Sequence, residues 1–188
     1  MARAKTKQIT LRDAHAIKAL SHPARVAVID ELYGGRVATA TELSAVTGLS
    51  PNATGWHLRA LEKLGVVERD ESVTDRREHP WRAAGKGITV SHSLPTRAQK
   101  AAASLLTGAV IDALRRDLDA YTAGEADLPE QWRDKANFDS GAVYLTPKET
   151  AQLIEAVATA VEPFRRRTRP RADARRVRIT SAVIPSVD

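Results

Sequence analysis

A chain of 188 residues with 43% hydrophobic content suffices for one ordinary domain, or for a small domain with an appendage. Its formal charge of +6 favours polyanionic partners, and 21 arginines against 8 lysines suit bidentate phosphate and guanine contacts, although a GC-rich genome gives the same bias. The absence of cysteine excludes disulfides, thiol catalysis and thiolate metal sites, and no apolar run approaches the roughly 20 residues that span a bilayer.

The basic opening MARAKTKQIT is followed by no apolar signal core and reads as an arm over residues 1–10 of a cytoplasmic, bacterial protein with no membrane partner. Leu11, Ala14, Ile17 and Leu20 then recur at spacings of three, one face of a short helix. Ser21-His22-Pro23 starts a second helix, whose apolar side is Val26, Ile29, Leu32 and Tyr33 and which Gly34-Gly35 ends. Residues 36–39 read as a short strand. Thr39 and Glu42 have capping-box spacing ahead of a helix over 41–47. Gly48 supplies a turn, Ser50 caps the next helix and Pro51 takes its first position, where a missing N–H costs nothing. That helix runs to Leu64 and stops at Gly65.

Two strands follow, over 66–69 and 80–84, separated by a charged loop. Helix, tight turn, helix and two-stranded wing make a winged helix-turn-helix, placed over residues 11–92. The fold class is therefore mainly α with a small β wing, α+β. After a flexible joint at Gly85-Lys86-Gly87, a long helix opens at Leu94-Pro95-Thr96 and reaches Tyr121, about 39 Å at 1.5 Å per residue. Its apolar stripe, including Leu105, Leu106, Val110, Leu114 and Leu118, is too wide for a lone surface helix, so a second element or a second copy must cover it. Residues 122–142 read as an ordered loop around that helix and 143–145 as a short strand. Thr146-Pro147-Lys148-Glu149 starts a helix to Phe164, with Leu153, Ile154, Val157, Val161 and Phe164 facing inward. Residues 165–178 carry eight arginines and one acid, Asp173, and 177–184 alternate as a C-terminal strand that can pair with 143–145. Residues 93–188 are thus a helical dimerisation region with room for an effector.

The second helix of the motif divides into two faces. Thr54, Leu58 and Leu61 lie at i, i+4 and i+7 and point to the core. Asn52, Gly55, Trp56 and Arg59 form the opposite face, the one a recognition helix lays in the major groove. Asn52 can pair with adenine or take a phosphate; Arg59 can take guanine O6/N7 or a phosphate. Gly55 permits close approach, and Trp56 either presses on a thymine methyl or sugar or packs under the wing. His57 borders the core side and reads as a packing residue rather than a base reader. Thr41 either caps its helix or donates to a phosphate, and Ser50 lies at the cap nearest the groove. Arg76 and Arg77 near the wing tip suit the flanking minor groove or backbone, although Glu71, Asp75 and Glu78 dilute their charge.

At these residues the chain resembles the ArsR-type winged-helix repressors. The resemblance rests on Leu20-Ser21-His22-Pro23-Ala24-Arg25, on 43–50 with its turn, on His57-Leu58-Arg59-Ala60-Leu61 and on Leu64-Gly65-Val66-Val67. The wing ending Arg77-Glu78-His79-Pro80-Trp81-Arg82 is similar to a longer-chain subgroup common in actinobacteria, and the likeness covers about residues 10–92. It implies a homodimer held by the first and the long post-wing helices, which binds double-stranded DNA at a pseudo-palindromic operator and is released by an effector. Two departures stand out. Serine is frequent in the family where Gly55 stands, and the cysteine pairs or His/Asp sets of metal-sensing members are missing. The five histidines, His15, His22, His57, His79 and His92, show no ligand spacing, so neither a metal nor a cofactor is expected.

The carboxy-terminal aromatics Tyr121, Trp132, Phe138, Tyr144 and Phe164 either surround a pocket for a small-molecule effector of unspecified identity or fill a larger dimer core. The arginine run is either extra phosphate contact or a solvated loop. Sequence-specific regulation is the expected function, by repression and through a homodimer. A non-specific architectural DNA binder and a winged-helix interaction adaptor are the alternatives. An enzyme is not expected, since no GxSxG, HExxH, P-loop, GxGxxG or paired-carboxylate arrangement occurs.

Overall fold

The computed structural model describes residues 8–71, 79–90, 94–165 and 173–187. The chain forms two compact units, Met1–Ala113 with Arg165–Arg175, and Leu114–Phe164 with Arg176–Asp188.

The first unit opens with β1 (Ile9–Leu11), which pairs in parallel with β4 (Ile88–Val90), Ile9 opposite Ile88 and Leu11 opposite Val90. This corrects the helix expected from Leu11 onward. Asp13 accepts the Ala16 N–H at 2.7 Å, so α1 begins at the next residue and spans Ala14–Leu20. Leu11 gains its burial from the strand, although its spacing matched the helical face of Ile17 and Leu20. The joint at 85–87 is also held: the Ile9 N–H donates to the Gly87 carbonyl at 3.0 Å, and Gln8 donates to the Thr89 hydroxyl at 2.6 Å.

Helix α2 (Pro23–Tyr33) starts where the Ala24 N–H donates to His22 Nδ1, and its Tyr33 hydroxyl donates to the Val66 carbonyl at 2.7 Å, tying it to the base of the wing. The strand expected over 36–39 is a single bridge, Ala38 with Trp81. No ladder extends from it because Thr39, itself extended, caps α3 (Ala40–Thr47), so the chain turns into a helix one residue beyond the bridge. There the capping box is complete: the Glu42 N–H donates to Thr39, and the Thr39 N–H donates to Glu42 at 2.7 Å. Gly48 at φ 69° makes the turn in the left-handed region, and α4 (Pro51–Lys63) follows, capped by Ser50.

Strands β2 (Val67–Arg69) and β3 (Trp81–Ala83) form the antiparallel wing, with Arg82 and Glu68 paired across it at 2.7 Å. Three helices, a tight turn and this wing make a winged helix-turn-helix of α+β class. The core gathers Ile17, Leu20, Val28, Leu32, Leu43, Leu58, Leu61, Val66 and Trp81. Helix α5 (Arg97–Gly124) contributes Ala102 to that core and donates from Gln99 to the Arg12 carbonyl.

The second unit holds the last turns of α5, two 3-10 turns (Glu125–Asp127 and Glu130–Trp132) and α6 (Pro147–Arg165). The start of α6 is as expected, with Thr146 and Glu149 exchanging hydrogen bonds at 2.8 and 3.3 Å. Two expectations are corrected. Residues 143–145 and 177–184 form no strand, because neither segment meets the other to close a ladder. No residue of α6 is buried, and Leu153, Ile154 and Phe164 are exposed where an inward face was expected. Among the carboxy-terminal aromatics, Phe138, Tyr144 and Phe164 are exposed in the single chain. Within the basic segment, Arg176 and Arg178 both bind the Asp117 carboxylate, and residues 166–172 lie outside the described residues.

Leu58 is fully buried at the centre of the first unit. Leu58→Ala is expected to cost about 2–5 kcal/mol of unfolding free energy by urea titration, the range for a leucine cavity that cannot collapse. A loss under about 1 kcal/mol would mean that α4 is not locked to the core.

Candidate nucleic-acid interface

The two faces of α4 separate as its spacing predicts. Thr54, Leu58 and Leu61 are buried, and the Thr54 hydroxyl meets the Thr47 hydroxyl at 2.9 Å across the turn. That bond satisfies the one polar group this seam carries into the core. Asn52, Trp56 and Arg59 are exposed on the other side. Helix α4 is therefore gripped along one edge and free along the other.

The structure gathers four of the expected residues. Thr41, Asn52, Gly55 and Arg59 line a concavity of about 330 Å³ between the start of α3, α4 and the base of the wing. Gly55 is its buried floor rather than part of the exposed face. A Cβ there would lie 3.4 Å from Arg59 Nη1 and 3.9 Å from Ala40 Cβ, so nothing within the chain forbids a side chain. Thr41 does not cap α3, since Thr39 does, and it is among the residues that line the concavity. Ser50 is occupied as the α4 cap, accepting the Ala53 N–H at 3.3 Å. Arg76 and Arg77 lie outside the described residues.

Trp56 stands apart from this concavity, and it does not pack under the wing. Its ring meets the edge of His57 at 5.0 Å, and the Arg25 guanidinium lies 5.5 Å from its centroid. His57 in turn stacks on His22 with centroids 4.4 Å apart. His57 is buried, as the packing reading expects, but its Nδ1 lacks a hydrogen-bond partner, as does the buried Nε of Arg25. Burial lowers the His57 pKa from its ordinary value, and the neighbouring His22 and Arg25 lower it further.

Sequence reasoning missed Arg69. Its guanidinium lies 3.6 Å from the Trp81 centroid and donates to the His79 carbonyl at 2.7 Å, which fixes it at the rim of the same concavity. Burial lowers its pKa; Glu62 opposes that shift and the Arg59 charge adds to it. The only local signal was a cation ending a strand, and the position of Trp81 beneath it is a long-range fact.

The depressed His57 pKa has a definite sign. Unfolded, this imidazole takes up a proton near 6.5; folded, it does so only at lower pH. Between those limits the unfolded chain binds more protons, so stability rises with pH across the window and is lost as pH falls below about 6.5. Urea titrations at pH 7.5 and 5.5 should show a smaller loss on acidification for His57→Gln than for the parent. Equal losses would mean that His57 does not titrate in this window.

No helix among the described residues is long and apolar enough to cross a membrane. Residues 20–70 match the family model of a helix-turn-helix domain. Over 55 residues the chain is 38% identical to the HTH-type transcriptional regulator YgaV of Escherichia coli (strain K12), an alignment covering 29% of this chain and 56% of that protein. The chain thus spans about half the length of the curated relative it matches.

Proposed function

We propose that this chain is a sequence-specific DNA-binding transcriptional regulator that acts as a homodimer on an inverted-repeat operator. The observation that carries this reading is the exposed edge of α4. A helix held in the core by Thr54, Leu58 and Leu61 presents Asn52, Trp56 and Arg59 outward, beside a concavity rimmed by two arginines. The major groove is about 12 Å wide and admits one helix, and its base edges carry the donor and acceptor code that an amide such as Asn52 can read. The similarity to a transcriptional regulator over the helix-turn-helix supports the same reading. Repression is the sign that the ArsR-type resemblance carries.

The dimer is supported by apolar surface that a single chain leaves in water. On α5, Leu105, Ile111 and Leu118 are exposed, and on α6, Leu153 and Ile154 are exposed. Burying side chains of this size against a second copy stabilises by about 1.5–3 kcal/mol each. An effector that binds this region and releases the DNA is the regulatory step that the resemblance adds.

Selection of bound duplexes from a random pool tests the reading directly. An inverted repeat with half-sites about 10 bp apart, or a multiple of that, is expected; retention of every sequence alike would identify an architectural binder instead. On the selected operator, Asn52→Ala should cost on the order of 1–3 kcal/mol and relax preference at one position per half-site. In sedimentation, Ile111→Asp with Leu118→Asp should raise the dimer dissociation constant at least about tenfold without unfolding the chain. An unchanged constant would place the interface elsewhere.

A further inference from the structure

We infer that the concavity between α3, α4 and the wing is a seat for a single backbone phosphate, clamped by Arg59 from α4 and Arg69 from β2. The inference rests on the DNA-binding reading and deepens it: it assigns Arg59 to the backbone rather than to guanine, and it brings Arg69 into the interface.

Three observations converge on it. The first is the pairing of two guanidiniums on one cavity. Arg59 has no ion-pair partner among the described residues, and Arg69 spends one donor on the His79 carbonyl and keeps the rest of its fork. Each charge bears on the other, and Glu62 is the carboxylate whose field reaches Arg69. Two cations held near one another repel, and an anion between them removes that repulsion. The guanidinium fork matches a phosphate's oxygens in pairs.

The second observation is rigidity. The Arg69 guanidinium sits over the ring of Trp81, which is itself in the core, and donates to the His79 carbonyl, so its donors are placed before any ligand arrives. Little side-chain freedom is then lost on binding. The third is the floor. Gly55 puts no side chain into the concavity, and Thr41 is among the small residues that line it, which leaves room for an oxyanion beside both arginines. The site reaches the root of the wing, where Arg69 sits, so an anion held there lies at the flank of the exposed edge of α4. Contacts of this kind fix register on the duplex and carry no sequence information.

The test uses the full chain and its selected operator. Arg69→Ala and Arg59→Ala should each weaken binding about tenfold on every sequence, with base preference unchanged. The slope of log K against log salt should become shallower by about 0.9 per protomer. Arg69→Lys keeps the charge and should retain most of the slope; Arg59→Ala, at an exposed position, keeps the test informative if loss of the Trp81 cover disturbs the wing. Replacing operator phosphates singly by neutral methylphosphonates should reveal one position per half-site where the parent loses affinity and neither alanine variant loses more. An unaltered salt slope in both alanine variants, with operator binding retained, overturns the clamp and leaves the regulator reading intact. A change of base preference at one position in Arg59→Ala overturns it in favour of guanine contact. If inorganic phosphate shifts the Arg69 side-chain resonance saturably in the parent while the salt slope is the same in all variants, the seat serves a free anion and the duplex assignment falls. Failure of the parent to bind any duplex removes the regulator reading, and this inference with it.

Discussion

The seam of Thr54, Leu58 and Leu61 along α4 is the constraint on which the rest of the first unit depends. These residues pack into a core shared with Leu32 of α2, Leu43 of α3 and Trp81 of the wing. A helix held along one edge by three other elements cannot roll, so the direction in which Asn52 and Arg59 point is set by core packing. The same seam fixes the angle between α3 and α4, because the Thr47–Thr54 hydroxyl contact closes the turn from inside. What α4 offers to solvent is thus decided by what it buries.

Trp81 links this seam to the wing. It is nearly inaccessible, it bridges to Ala38, and it carries the Arg69 guanidinium on its face. One aromatic residue therefore does three things: it fills the core, it pins the loop ahead of α3, and it orients a cation at the mouth of the concavity. The opposite flank is less complete. Around Trp56, His57 Nδ1 and Arg25 Nε are buried without partners, a combination that disfavours positive charge on the histidine. The two ends of the exposed edge of α4 accordingly differ in kind, one built from two neighbouring guanidiniums and the other from an aromatic stack over unsatisfied nitrogen.

What could be read from the sequence was local. Thr39 with Glu42, Ser50 with Pro51, Gly48, and Thr146 with Glu149 are signals contained within four residues, and each sits at the helix boundary it implied. The two faces of α4 were legible for the same reason, since helical spacing needs no knowledge of the partner. Most of the misreadings were pairings. β1 and β4 are separated by most of the first unit, and alternation in three residues is too short to announce a strand. Residues 177–184 alternate well yet form no ladder, because alternation states which side chains share a face and not whether a neighbouring strand exists. Arg69 was missed on the same ground: its role comes from Trp81 and Arg59, neither of which is near it in the chain.

Gly55 shows how the two kinds of information combine. Inside a helix, glycine is roughly 1 kcal/mol less favourable than alanine. The usual excuse is a backbone packed too close for a side chain, and it fails here, because the nearest atom to a Cβ would be the end of the flexible Arg59 side chain. The chain's own packing therefore leaves this glycine unexplained. Its position at the floor of the concavity supplies a reason from outside the chain, since a methyl or hydroxymethyl group would raise the floor beneath whatever Arg59 and Arg69 hold. A residue that weakens its helix and gains nothing within the fold is best understood through its ligand. On the proposal made for this concavity, that ligand is a phosphate of the duplex backbone held between Arg59 and Arg69.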